Sequence, residues 1–400
     1  MKHTKRVLGA VMAFSVFLGG CTNTQNPGNS EDTAEAAASG TTSQEGSAPV
    51  TDHGEMRDIS ARELVAEMKT GWNLGNTFDS LGGKETSWGN PYTTHEMIDF
   101  VADSGFDVIR IPTTWHEHMD EAGNIEQEWI DRVHEVVDYA FDNGMFVILN
   151  SHHETSWIIP ETEKLDSFLP RFETMWTQIA ESFADYGDHL LFEGLNEPRV
   201  EGGKGEWSGG TKDGRAALNT LNKTFVDTVR ATGGNNSARA LLITTFAAAV
   251  ADPTLKALEI PDDPHIIVSL HAYTPYNYTY HSNSDWEVYS FDESVGEQVD
   301  AVFDTIDSYF TSKDIPVIIT EYGAVSKTVG DDFARNDAEN EKWAAYYLNR
   351  AKQSGIPCVW WDNGAYYKGD ERFGIFDRRN LQWFVPGLVD SIMSVFDSAA

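Results

Sequence analysis

The chain is poor in cysteine and in positive charge. Cys21 and Cys358 are its two thiols, too few for a disulfide framework or a Cys-based zinc site. Against 63 acidic residues stand 29 Lys and Arg, a formal charge of −34 and a pI near 4.5. Such a chain repels a phosphate backbone and is disfavoured at anionic lipid headgroups, so no nucleic-acid partner is expected. No Gly-x-Gly-x-x-Gly follows the first apolar run, no His-Glu-x-x-His occurs, and no solenoid period is visible. A dinucleotide-binding open sheet, a zinc-protease helix and a stacked-repeat fold are thereby set aside. What is there is a globular composition: 40% hydrophobic and 23% charged over 400 residues. Its 12 Trp and 14 Tyr exceed what a core needs, and such side chains favour half-wet positions. A neutral substrate suits this balance best.

The N-terminus reads as an export signal. Lys2, Lys5 and Arg6 precede an apolar stretch from Val7 to Leu18, too short to span a membrane comfortably. It ends Leu18-Gly19-Gly20-Cys21, which resembles the bacterial lipoprotein signal and predicts lipidation of Cys21. The protein is then expected outside the cytoplasm, lipid-anchored to a membrane or cell surface. Residues 22–55 contain no aromatic residue, Lys or Arg, and are expected to be a flexible tether. No second linker of this kind follows, which leaves residues 56–400 as one domain.

Within that domain, eight strand-like runs recur: Gly71–Gly75, Asp107–Ile111, Phe146–Asn150, Leu190–Leu195, Ala240–Thr245, His265–Leu270, Pro316–Thr320 and Cys358–Trp361. Helical stripes lie between them, such as Trp129, Val133, Val136, Val137 and Ala140, or Val299, Val302, Phe303, Ile306 and Phe310. Runs such as Ile266-Ile267-Val268 do not alternate, as expected of parallel strands covered on both faces. Eight such units predict an α/β fold of the (β/α)8 TIM barrel type.

In a barrel the C-terminal strand ends converge on one mouth. Seven of the eight runs end in residues that ionise, hydrogen bond or stack, among them Asn76, Arg110, His152-His153-Glu154, Asn196-Glu197, His271-Ala272-Tyr273, Glu321 and Trp361. Glu197 and Glu321 end the fourth and seventh runs, on roughly opposite walls. Two carboxyls flanking one bond are what glycoside cleavage requires, one donating a proton and the other attacking carbon or activating water. Arg110 is placed to keep the attacking carboxylate ionised.

These segments resemble glycoside hydrolase family 5, the family once called cellulase family A, across essentially the whole domain. Leu195-Asn196-Glu197-Pro198 is similar to its strand-four signature, and Ile319-Thr320-Glu321-Tyr322-Gly323 to its strand-seven segment. The resemblance implies Glu197 as acid/base, Glu321 as nucleophile, Asn196 as partner of the sugar 2-hydroxyl and Arg110 beneath the nucleophile. It assigns substrate-binding roles to His152, His153, His271, Tyr273 and Trp361. Gly71–Asp79 and Trp360–Gly364 are more similar to the fourth subfamily, a group of broad β-1,4-glucanases, in which Asn76 and Asp79 would touch the sugar. A retaining mechanism without metal or other cofactor is implied, with carboxyls about 5–5.5 Å apart.

The expectation is an exported, monomeric endo-β-1,4-glucanase acting on cellulose-like, mixed-linkage or xyloglucan chains. Alternatives are a xylanase or mannanase of the same fold, and a surface lipoprotein that binds glycans without cutting them. A metal-dependent isomerase on the same barrel would lose activity to a chelator, whereas the glycosidase would not. His152-His153-Glu154 invites a metal reading, but adjacent residues on an extended strand point to opposite sides. Trp88, Trp115, Trp157, Trp207 and Trp286 fall in or near mouth loops and are candidate sugar platforms, and the loop Glu201–Asp213 is expected to set specificity.

Overall fold

A computed structural model of the chain describes residues 53–280, 288–328 and 333–397. The expected signal segment with Cys21, the tether as far as residue 52, and Trp286 lie outside the described residues. Eight parallel strands close into a barrel in sequence order, with β8 pairing back to β1. They are β1 (Thr70–Leu74), β2 (Val108–Ile111), β3 (Phe146–Asn150), β4 (Leu190–Glu193), β5 (Leu241–Ala249), β6 (Ile266–His271), β7 (Val317–Tyr322) and β8 (Cys358–Asp362). Each overlaps an expected run. The outer layer is built mainly of α2 (His95–Asp103), α3 (Gln127–Asp142), α4 (Leu165–Ser182), α5 (Lys212–Ala231), α8 (Glu293–Tyr309), α9 (Phe333–Gln353) and α10 (Pro386–Asp397). Short helices α6 (Asp252–Leu255) and α7 (Tyr276–Thr279) lie in the connections. On α3 the predicted stripe is buried, joined by Ile130, because a 3.6-residue period lays those side chains on one face.

The first helix, α1 (Ala61–Val65), is too short to stand alone and is started by a reciprocal cap between Ser60 and Glu63. Its Ala61, Leu64 and Val65, with Met68, pack on one lumen layer made of Val108, Ile148, Leu191, Leu242, Ile267, Ile318 and Val359. β1 contributes Gly71 to that layer, where a Cβ would stand 2.8 Å from the Val108 carbonyl and 2.9 Å from its Cβ. One end of the barrel is therefore solid hydrocarbon, and polar chemistry is confined to the other. The chain is bonded to the barrel from His53 onward: His53 stacks on Tyr186 at 3.9 Å, and Gly187 and Asp188 donate to the carbonyls of His53 and Glu55. Residues 53–55, expected from the sequence to belong to the tether, are thus bonded to the barrel.

β4 is held in place by an unusual staple. Arg239 is fully buried and donates to the carbonyls of Phe183, Tyr186, Gly187 and Leu190 and to Asn236. These bonds tie the chain past the end of α4 to the start of β4.

Candidate active site

Above the hydrocarbon layer, inward-facing positions two residues along the strands become polar. Asn73, Arg110, Asn150, Glu193, Ser269 and Thr320 form a buried layer tied together by side-chain hydrogen bonds. Glu193 accepts from Arg110 Nε at 2.7 Å, Asn150 Nδ2 at 2.9 Å and Ser269 Oγ at 2.5 Å. Arg110 spends its remaining donors upward. Nη1 donates to Glu321 Oε1 at 2.7 Å and to Asn73 Oδ1 at 3.0 Å, and Nη2 donates to Asn196 Oδ1 at 2.7 Å. Because Arg110 takes the Asn196 oxygen, the Asn196 amide nitrogen is left as the free donor of that side chain. Burial alone would lower the Arg110 pKa, but Glu193 and Glu321 outweigh it and the guanidinium stays charged.

Strict alternation would send Glu321 outward, since its neighbour Thr320 faces the lumen and bonds Ser269 Oγ at 2.7 Å. A β-bulge prevents this. Leu270 pairs with Ile319 while His271 pairs with Glu321, and Ile319 pairs with Cys358 while Tyr322 pairs with Trp360. The extra residue on β7 lets Thr320 and Glu321 both serve the lumen. Tyr322 then returns to the outer core, stacked on Tyr347 at 4.9 Å.

The Glu321 carboxylate also accepts from Tyr273 OH at 2.8 Å, and His271 Nδ1 lies 2.8 Å from Glu197 Oε1 and 3.4 Å from Glu321 Oε2. A Glu197 oxygen, the His271 nitrogen and a Glu321 oxygen all lie within 4.8 Å of one another. Glu321 is nearly sealed, its side chain 6% exposed, whereas that of Glu197 is 21% exposed. Burial pushes the Glu321 carboxyl above its ordinary value, and the Glu197 charge adds to this against the pull of His271, Arg110 and Tyr273. Burial also raises Glu197, but the hydrogen bond and charge of His271, with Arg199 and His153, bring it below the usual range. His271 is raised: burial opposes its charged form, and the two carboxylates overcome it. The two carboxylates therefore favour the protonated form of the imidazole.

The remaining predicted residues line the same mouth. Trp361 on β8 lies parallel to His152, with ring centroids 5.7 Å apart, while Trp360 faces the outer core. Gly75 makes room for that platform, for a Cβ there would stand 2.9 Å from Trp361 Cη2. Asn76 turns the chain with a positive φ of 53°. Asp79 accepts its backbone N–H at 3.1 Å and that of Thr77 at 2.7 Å. Asp79 is 0% exposed, so it fixes the turn that presents Asn76 rather than touching sugar itself, a correction to the sequence reading. Burial raises the Asp79 carboxyl to about 7 against those hydrogen bonds.

A second correction concerns the adjacent histidines. β3 ends at Asn150, so His152 and His153 are not on an extended strand. Their rings meet edge to face at 4.5 Å, and with Asp79 they offer ligand atoms within 4.8 Å of one another. The hydrogen bonding of His152 opposes a metal there. Asn150 is oriented by Thr113 N–H on its Oδ1 and by Glu193 on its amide nitrogen. That nitrogen therefore donates to His152 Nδ1 at 3.1 Å, which leaves the imidazole proton on Nε2. Burial, with the charges of His153 and Arg110, keeps His152 well below its ordinary pKa. It is a neutral hydrogen-bond donor to whatever fills the cleft.

The profile described as Cellulase (glycosyl hydrolase family 5) matches residues 72–367. The chain belongs to glycosyl hydrolase family 5. It is 53% identical to Endoglucanase A of Ruminococcus albus over 347 residues, covering 85% of this chain and 94% of that protein. Among solved structures it is similar to a GH5-4 broad specificity endoglucanase of Clostridium longisporum, with a TM-score of 0.81, 40% identity, and coverage of 86% of this chain and 100% of that one. It is also similar to a family 5 xyloglucan-specific endo-beta-1,4-glucanase from a metagenomic library, in complex with cellotriose, with a TM-score of 0.79 and 42% identity over 84% of this chain and 98% of that one.

In this family 5 barrel the sequence reading missed Glu193, an acid that faces the lumen and accepts from Arg110, Asn150 and Ser269. Its signal was an acid two residues past lumen-facing Leu191 in an otherwise apolar run. Of the candidate tryptophans, Trp115 is fully buried and donates to the Asn150 carbonyl. Trp157 bonds Glu154, and Trp207 carries the Arg199 guanidinium 4.3 Å above its ring. Trp88 is 43% exposed and lies 5.5 Å from His153. The loop before α5 is tied down, with Arg215 donating to the carbonyls of Gly209 and Gly210.

Proposed function

We propose that the chain is a retaining endo-β-1,4-glucanase in which Glu321 attacks the anomeric carbon and Glu197 protonates the departing sugar oxygen. Glu197 then takes a proton from water as that water releases the covalent glycosyl-enzyme. The observation that carries this reading is the approach of the two carboxylates to within 4.8 Å across one imidazole, at the mouth of the barrel. Glu321, nearly buried and gripped by Arg110 and Tyr273, is aimed rather than mobile. Glu197 must begin protonated, and His271 Nδ1, 2.8 Å from its Oε1, is placed to hand it that proton. A sugar closing the cleft strips water from Glu197, which raises the cost of its charge and draws that proton across. Trp361 offers a flat apolar face to a pyranose ring, and His152 Nε2 and the Asn196 amide supply donors to hydroxyls.

The substrates proposed are soluble cellulose-like chains, mixed-linkage β-glucan and xyloglucan. The endoglucanase and xyloglucanase names of the relatives support this range, as do the neutral donors His152 and Asn196. Export with lipid attachment at Cys21 rests on the N-terminal sequence, and a monomeric state completes the reading. Replacing Glu321 by Gln tests the core of it. Release of reducing ends from β-glucan is expected to fall by about a thousandfold or more, with binding of cellotriose retained. Undiminished release would reject Glu321 as nucleophile, and absence of hydrolysis by the parent protein would favour a binding lipoprotein.

A further inference from the structure

The side chain next to the acid/base is held in a way the reaction so far leaves unused. Arg199 Nη1 lies 3.8 Å from Glu197 Oε2 and donates to the Glu197 carbonyl at 3.2 Å. It does not close onto the carboxylate. Its Nε donates to Glu206 Oε1 at 3.1 Å, its Nη2 lies 3.5 Å from Glu201 Oε1, and its guanidinium sits 4.3 Å over the Trp207 ring. The clamp is itself anchored. Glu206 Oε2 accepts from Gly202 N–H at 2.9 Å, and Glu201 accepts from Thr155 Oγ1 at 2.6 Å, on the loop that follows β3. Two carboxylates and an indole thus hold one cation at a set distance from a third carboxylate.

We propose that Arg199, gripped by Glu201, Glu206 and Trp207, is a positioning residue that sets how readily Glu197 releases and regains its proton. The proposal rests on the acid/base reading of Glu197. A guanidinium in full bidentate contact would hold Glu197 ionised throughout and leave no proton to donate. With no cation at all, the buried carboxyl would hold its proton too tightly to act as base in the second step. The clamp selects the intermediate distance. The other groups that face Glu197 are His271 and Tyr273 from β6 and the residues after it, Glu321 from β7, His153 after β3, and Tyr280 at the end of α7. His271 bonds it directly, so Arg199 adjusts a balance and does not create it.

The test is the pH profile of kcat/KM in the full chain, on β-glucan and on a β-cellobioside whose good aryl leaving group needs no protonation. Arg199→Met keeps the stem and removes the charge, and is expected to move the alkaline limb on β-glucan upward by about 0.5–1 pH unit. Glu206→Gln loosens the clamp and removes a competing charge, and is expected to move the same limb downward. The limb on the aryl cellobioside should stay in place for both. Limbs that do not move, that move in the same direction in the two variants, or that move equally on both substrates would overturn the proposal. Arg199→Lys, which keeps the charge but not the fork, should fall between parent and Arg199→Met, so a poorly folding Met variant leaves the question open to measurement. Glu197→Ala with azide separates the two hypotheses. If it cleaves the aryl substrate with azide rescue, the acid/base reading stands independently of Arg199. If it does not, that reading itself fails.

Discussion

A carboxylate that never meets the substrate has two distinct uses in this barrel. Glu193 receives three donors in a layer sealed from water and shares Arg110 with Glu321. Replacing it with Gln keeps the shape but turns an NH2 toward donors and leaves Arg110 with one carboxylate. Loss of one partner of a buried pair costs about 3–5 kcal/mol, so Glu193→Gln should show a lower urea midpoint at unchanged slope. An unchanged midpoint would mean that the pairing of Glu193 with Arg110 does not hold the fold together. Asp79 is the opposite case, since burial raises its carboxyl from 3.8 to about 7. Between those values the folded chain binds more protons at this site than the unfolded chain, so the Asp79 contribution to stability declines as pH rises from 3.8 toward 7. Above that it is flat. Asp79→Asn does not titrate, so its stability relative to the parent should climb across the same window and level off beyond it. Parallel pH–stability curves for the two proteins would contradict the raised value.

At the scale of the element, strand ends aim side chains, and a glycine decides whether the β8 platform fits. Gly75 follows β1, where a Cβ would stand 2.8 Å from the Asp362 carbonyl and 2.9 Å from Trp361 Cη2. Backbone cannot retreat there, so Gly75→Ala must tilt the Trp361 ring. Overpacking of this kind costs about 1–3 kcal/mol. KM for cellotetraose is expected to rise several-fold with a smaller change in kcat, and an unchanged KM would show that Trp361 does not bear on the sugar. This scale also explains what the sequence made legible. Apolar runs bounded by helical stripes identify eight strands, because strands covered on both faces must be continuous hydrocarbon. Residues that follow those runs are found at the mouth, because parallel closure brings every C-terminal end to one side. Orientation within an end was less legible. The β7 bulge depends on pairing with β6 and β8, partners distant in sequence, so alternation alone misplaces Glu321. His152 and His153 do not diverge as strand alternation predicts, because they lie past the end of β3 at Asn150. Glu193 was passed over because a buried acid becomes intelligible only when its donors, from β2, β3 and β6, are known.

For the whole molecule, charge and chemistry are arranged to be independent. The sequence carries −34 formal charges, and such self-repulsion opposes the compact state. The polar layer of the barrel, by contrast, pairs its ions internally and lies away from solvent, and the proposed substrate has no charge to be steered. Screening should therefore act on stability and leave turnover alone. Raising NaCl from about 0.01 M to about 1 M shortens the Debye length from about 30 Å to about 3 Å. The thermal midpoint is expected to rise over that range, while kcat/KM on β-glucan holds within about twofold. A glucuronate-bearing xylan serves as the internal control. As an anion it is repelled at low salt, so any cleavage of it should increase as salt is added. Should kcat/KM on neutral β-glucan itself change steeply with salt, the field of the surface would be reaching the cleft. The isolation of Arg110, Glu193 and Glu321 from that field would then be incorrect.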